Sequence, residues 1–221
     1  MIAVLDAGRK GVLGRESIIR RDDDGIELTA DPLAVTVVDA PATGPTPVIP
    51  LGTVLIAQSD GDVFMVTPGT TEAVTLGLNT ELIEPIGMVV TPDRRLLVSD
   101  ASANLIQAFD LDTLMDLGTF VGGGPFGVTD PRKMVIRDMQ LLVACNTSEI
   151  RSFDLATGMF EGVVVSHEPF GGVSGLAVLE NGDIIASSPT RDMVWRFDGQ
   201  TGESLDSFTD EYGVTAPTDI T

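Results

Sequence analysis

The feature that most constrains the fold of this chain is a repeat of about 44 residues. Residues 96–110, 141–154 and 184–198 align with one another, and each combines two alternating apolar strands, a short polar link and a final Phe-Asp dipeptide. The final aspartates, Asp110, Asp154 and Asp198, are spaced 44 residues apart. Weaker copies occupy residues 54–67 and the N-terminal stretch, so that five copies account for the 221 residues.

Each copy contains two further strands. A short apolar segment precedes the aligned pair, as in residues 86–90, 133–136 and 173–178, and another strand follows it, as in residues 160–165 and 204–208. Asp and Gly at the strand ends favour tight turns, and no segment keeps a helical period for more than a turn or two. Four short antiparallel strands in about 40–45 residues are typical of one blade of a β-propeller. The sequence therefore predicts an all-β propeller of about five blades.

The repeat also predicts the blade boundaries within a single domain over residues 1–221. Four blades are expected at residues 33–80, 84–124, 130–168 and 172–210, and a fifth is expected from residues 1–32 together with 216–221. Residues 216–221 are in register with the blade starts at 84–89 and 130–135. We therefore expect the C-terminal strand to pair with residues 2–6 and close the ring, which would leave few free strand edges. The alternative is that this chain forms part of a larger ring.

The charge balance excludes several classes of partner. The chain has 33 acidic and 13 basic residues and a formal net charge of −20, which opposes binding to nucleic acid or anionic membrane surfaces. No apolar run approaches the roughly 18 residues of a membrane span, so we expect no membrane insertion. Residues 1–5 are apolar but lack the basic region of a signal peptide. The single cysteine, Cys145, excludes an intramolecular disulfide.

The best-preserved copies resemble a known repeat. The stretch Val98-Ser99-Asp100, followed by Asn104, Ile106 and Phe109-Asp110, resembles the NHL repeat, and residues 194–202 are similar to bacterial NHL-like repeats of secreted or surface-attached proteins. The likeness covers roughly residues 85–210, and the related gluconolactonase-like hydrolases and virginiamycin lyases are enzymes on similar propellers. The resemblance implies a propeller and points to an extracytoplasmic location, which the acidic composition and the use of only two lysines also suit.

One end of a propeller usually carries the functional site. The links between second and third strands and the loops between blades converge there, and we call this end the loop face. Its predicted blade-joining loops are residues 79–84, 122–130, 167–172 and 210–215, and its links within blades include residues 101–103, 146–148 and 189–192.

Two kinds of chemistry are conceivable on the loop face. His167 is the only histidine and lies beside Glu168, so the pair could supply a general acid or base; the alternative is a solvated loop histidine. Asp100 and Asp130, with Asp6, Asn146 and Glu168 from other copies, could offer oxygen ligands to Ca²⁺ or Mg²⁺. The alternative for Asp100 is a hydrogen-bonding cap at the end of its strand.

The predicted ligand-binding residues come from several loops. They are Phe126, Asp130, Phe170, Arg191, Asp192 and Tyr212. The three aromatic residues occupy matching blade-joining loops, where they could surround a ligand pocket or fill the gap between adjacent blades.

Two functions follow from this sequence. The first is a non-enzymatic binding or scaffolding module that presents the loop face to a protein, a glycan or a small ligand. The alternative is a metal-assisted lactonase or lyase that uses His167, Glu168, Asp130 and Asp100. Clustering of these four side chains around one pocket at the axis would favour the enzyme, and their dispersal would favour the binding module.

Overall fold

The computed structural model describes residues 49–50, 52–58, 61–78, 82–207 and 213–220, and the backbone of residues 32–37. These residues form four separate antiparallel sheets, each of four strands paired in chain order. We call the sheets the first to fourth blades. The first blade contains β1 (Pro32–Val37), β2 (Val54–Gln58), β3 (Val63–Val66) and β4 (Ala73–Thr75). The second contains β5 (Pro85–Val90), β6 (Arg95–Asp100), β7 (Leu105–Asp110) and β8 (Asp116–Val121).

The third and fourth blades repeat this plan. The third contains β9 (Pro131–Arg137), β10 (Gln140–Cys145), β11 (Glu149–Asp154) and β12 (Phe160–Ser166). The fourth contains β13 (Leu176–Val178), β14 (Ile184–Ser188), β15 (Met193–Phe197) and β16 (Ser204–Ser207). A short 3-10 helix (Glu168–Phe170) lies between β12 and β13. The prediction of an all-β fold built from four-stranded antiparallel sheets is confirmed.

The core lies between blades rather than within them. On β6, Leu96 and Val98 pack in an apolar cluster with the first blade, whereas Leu97 between them packs with the third blade. The same division recurs on β10, where Leu141 faces the second blade and Leu142 faces the fourth. Because successive side chains of a strand point to opposite faces, a middle strand covered on both faces needs a continuous apolar run. This explains the unbroken apolar runs of residues 96–98 on β6 and 141–145 on β10.

The first strands of neighbouring blades lie side by side around the axis. The Ser99 hydroxyl donates to the Arg132 carbonyl across one boundary at 2.8 Å. A Cβ atom at Gly87 would collide with that same carbonyl oxygen. Glycine at position 87 therefore allows β9 to approach β5 closely.

The C-terminal segment, residues 213–220, contacts the third and fourth blades. The Ser174 hydroxyl donates to the Thr218 carbonyl at 2.9 Å, and Asp219 pairs with Lys133 at 3.0 Å. The predicted fifth blade draws on residues 1–31, which lie outside the described residues, so closure of the ring stays a prediction. None of the helices in the described part of the chain is both long enough and apolar enough to cross a membrane.

Candidate functional site

The loop face is assembled by contacts between each blade-joining loop and the preceding blade. The backbone N–H of Asp130 donates to the Asn104 side-chain oxygen at 2.7 Å, which ties the start of the third blade to the β6–β7 link. The fourth blade repeats this contact, because the N–H of Ala216 donates to the Asp192 carboxylate at 2.7 Å. Asp130 and Ala216 both have φ of 45°. The side chains of Asn104 and Asp192 thus fix equivalent turns at two blade starts.

Asp130 belongs to a polar cluster beside the second and third blades. Its carboxylate pairs with the Arg132 guanidinium at 2.8 Å and accepts a hydrogen bond from the Asn146 side-chain amide at 2.6 Å. The backbone N–H of Asn146 donates to the Asp130 carbonyl at 2.9 Å. These contacts compensate the charge of Asp130 and hold the β8–β9 loop against the β10–β11 link.

Asp100 has other hydrogen-bond partners. Its side chain is buried, with 1% of the residue exposed, and its carboxylate accepts backbone N–H bonds from Ile83 at 2.6 Å, Glu84 at 3.2 Å and Ala103 at 3.0 Å. Asp100 thus acts as a hydrogen-bonding cap at the end of β6. Among the described residues, no three His, Cys, Asp or Glu side chains are grouped as metal ligands would be. Asp6 lies outside the described residues.

His167 sits at the boundary of the third and fourth blades. Its backbone N–H donates to the Ser148 carbonyl at 2.9 Å, and its ring meets Phe170, Trp195 and Phe197 in edge contacts with centroid distances of 5.5–5.7 Å. Burial against these rings lowers the pKa of His167 below its ordinary value of 6.5. Burial therefore favours the neutral form of the imidazole. Glu168, the other predicted catalytic residue, is exposed on the 3-10 helix.

The two described aromatic residues of the blade-joining loops differ in environment. Phe170 is fully buried and packs on Trp195 and Phe197, with ring centroids 4.7 and 5.2 Å away, so it fills the gap between blades. Phe126 is 74% exposed, and the buried position in its loop is taken by Val128. Their matching sequence positions gave no sign of this difference. The third predicted aromatic residue, Tyr212, lies outside the described residues.

The loop that carries Phe126 is held by hydrogen bonds within the loop and by one from the neighbouring strand β11. The N–H of Gly127 donates to the Gly124 carbonyl at 3.1 Å, and the N–H of Val128 donates to the Gly122 carbonyl at 3.0 Å. The Arg151 guanidinium donates to the Gly127 carbonyl at 2.6 Å. Sequence reasoning missed Arg151, because its place on β11 resembles that of an ordinary outward-facing strand residue.

Phe126 also rests on its neighbour. Its ring lies 5.8 Å from the ring of Phe160, and the Arg151 guanidinium lies over the Phe160 ring, 5.8 Å from its centroid. The exposed ring is therefore supported on one side and open to solvent on the other.

Arg191 lies on the β14–β15 link, close to the loop of His167. A Cβ atom at Gly171 would come 3.0 Å from its Nε atom, so the side chain lies across Gly171. Arg191 is exposed and makes no ion pair or side-chain hydrogen bond with the described residues. The structure thus brings Arg191 to the 167–172 loop, whereas Asp130 and Asp100 have their partners in and around the second and third blades.

Comparison with known proteins identifies the fold. No family model matches the sequence, and no curated protein matches it. Among solved structures, the WD40 β-propeller domain of Doa1 superimposes with a TM-score of 0.56 at 20% identity, covering 73% of this chain and 52% of that one. The computationally designed Ika8 protein superimposes with a TM-score of 0.53 at 16% identity, covering 76% of this chain and 49% of that one. This chain thus spans about half the length of each, and the likeness establishes a β-propeller fold.

Proposed function

We propose that this chain is a non-enzymatic binding module that uses the loop face to hold a protein or peptide ligand. The observation that carries the proposal is Phe126, an aromatic side chain that is 74% exposed on a braced loop. Exposed aromatic residues dominate many protein interfaces, because a partner buries a large apolar area at small entropic cost. The bonds from Gly127, Val128 and Arg151 reduce that cost further, because the loop is already ordered before binding.

The shape of the anchor favours a protein or peptide over a small molecule. Small ligands usually bind in concave pockets that cover most of their surface. Phe126 is instead 74% exposed, and its ring contacts only the neighbouring ring of Phe160 among the described aromatic residues, so a partner must supply the rest of the apolar surface around it. The net charge of −20 favours a partner that carries basic side chains around that surface.

The placement of the predicted catalytic residues supports binding rather than a lactonase or lyase. Asp100 caps a strand, Asp130 pairs with Arg132, and His167 packs against aromatic rings. General acid–base chemistry needs such groups within hydrogen-bond reach of one substrate. The three residues have separate partners, which favours the binding module.

The repeat motifs support a finer assignment. We propose that the chain belongs with the NHL-like propellers, because Asp100 and Asn104, which carry the resemblance, both cap backbone N–H groups of the loop face. An extracytoplasmic location is the setting that the same resemblance suggests.

A peptide-display experiment tests the proposed function. A phage library of random 16-residue peptides is selected on the immobilised chain, and binding of the enriched peptides is measured for the original chain, for F126A and for M139A. Met139 is a matched control, because it is 62% exposed and lies in the β9–β10 hairpin at the opposite end of its blade. We expect F126A to weaken binding by about tenfold or more, as for an interface anchor, and M139A to leave it unchanged within about twofold.

The enriched peptides should also be rich in Lys or Arg beside apolar residues. Peptides that bind F126A as well as the original chain, or that lose binding in M139A alone, would contradict the use of the loop face.

A further inference from the structure

The charges of the described blades leave one basic side chain without a partner. Residues 82–207 contain 18 acidic and eight basic side chains. Seven of the basic side chains make ion pairs or hydrogen bonds; they are Arg94, Arg95, Arg132, Lys133, Arg137, Arg151 and Arg196. Arg191 makes neither with the part of the chain that the structure describes, although carboxylates are in excess. Its guanidinium is therefore available to a ligand.

The backbone next to Arg191 supplies one further hydrogen-bond donor. Gly171 ends the 3-10 helix with φ of 65° and ψ of −1°, a left-handed conformation that suits glycine. The 3-10 helix directs the N–H of Gly171 at the Glu168 carbonyl, and the N–H of Val173 donates to the carbonyls of Cys145 and Thr147, whereas the N–H of Gly172 between them makes no hydrogen bond with the described residues. Helical residues followed by a left-handed residue form the backbone concavity that commonly binds anions.

We propose that Arg191 and the amide of Gly172 form an oxyanion-binding site, which takes a carboxylate or phosphate group of the ligand. A guanidinium presents two parallel donors that match two oxygens of such a group, and the Gly172 amide donates to a remaining lone pair. The inference rests on the proposed function, because it supplies a second anchoring point on the loop face.

Two neighbouring carboxylates set the expected strength of this site. The Asp192 carboxylate accepts the N–H of Ala216, and Glu168 is exposed and makes no such contact with the described residues. Both repel an anion, so isolated small ions bind weakly, and the site contributes mainly when the rest of a ligand is already held at the loop face.

Nuclear magnetic resonance titration tests the site. The ¹⁵N-labelled chain is titrated separately with sodium phosphate and sodium acetate, up to about 50 mM, at pH 7 and constant ionic strength. We expect saturable shifts of the Gly172 amide signal, and the ion that saturates at lower concentration identifies phosphate or carboxylate as the preferred group. R191Q should weaken the binding of that ion at least about fivefold. R196Q is the matched control on the same blade, since Arg196 is already paired with Asp183 and Asp206, and should bind as the original chain does.

The two proposals fail separately in this design. Non-saturable shifts with both ions, or equal saturation in R191Q, would overturn the oxyanion site whatever F126A does to peptide binding. Saturable, Arg191-dependent shifts that persist in F126A support the oxyanion site independently of the Phe126 anchor. The remaining amide signals of R191Q report whether that variant is folded.

Discussion

At the scale of single residues, the environment of a side chain decides its role more than its type does. His167 was the natural candidate for proton transfer because it is the only histidine. In the structure its ring packs instead against three aromatic side chains, as the ring of an apolar core residue would. The sequence could place it on a loop, but it could not show which rings of the fourth blade would meet it.

The packing of His167 predicts that the free energy of unfolding depends on pH. Burial depresses the pKa of the folded state below 6.5, so the charged form is disfavoured in the folded chain relative to the unfolded one. The free energy of unfolding should therefore be unaffected by this group above pH 6.5, and should fall as the pH drops from 6.5 to the folded-state pKa. Titration of the His167 ring protons should give a midpoint below 6.5.

The variant H167F isolates that contribution, because it keeps an aromatic ring and removes the titration. Urea denaturation at pH 8 and at pH 5 should show a smaller loss of stability on acidification for H167F than for the original chain. Equal losses in the two proteins, with a His167 midpoint at or above 6.5, would contradict the account.

At the scale of elements, the repeat predicts strands well and loops poorly. The β6 and β10 strands follow from their apolar runs, and the turns follow from Asp and Gly. The β8–β9 and β12–β13 loops align in sequence, yet one buries Val128 and exposes Phe126, and the other buries Phe170 through a 3-10 turn. The outcome depends on contacts with neighbouring blades, which a pattern along one chain does not contain.

The close approach of β5 and β9 predicts that a larger residue at position 87 destabilises the fold. The variant G87A adds a methyl group against the carbonyl of Arg132 on the next blade, so β9 must shift. We expect a loss of about 1–3 kcal/mol in the free energy of unfolding, as for overpacked cores. G162A is the matched control, because Gly162 also lies on a strand and a Cβ atom there meets nothing within 4 Å. Urea denaturation of both variants checks this, and equal midpoints would contradict the close packing.

At the scale of the whole molecule, the regular spacing of Phe-Asp dipeptides was enough to predict the fold class. A four-stranded unit with two apolar faces can bury both faces only when it packs between two neighbouring units. Leu96 and Leu97 illustrate this, because they are buried against different blades on opposite sides of β6. The candidate site was predictable only in part. The sequence pointed to the loops and to Arg191, but not to Arg151 as the brace of Phe126, because that contact joins residues that the repeat does not align.

The most direct test of the account is hydrogen–deuterium exchange of the full chain with and without an enriched basic peptide. Binding at the loop face should slow exchange in residues 122–130, around Phe126, and in residues 167–172, around the proposed oxyanion site. The hairpins at the opposite end, such as the one that carries Met139, should exchange unchanged. Protection confined to those hairpins, with no change at residues 122–130, would contradict the central claim that the loop face binds the ligand.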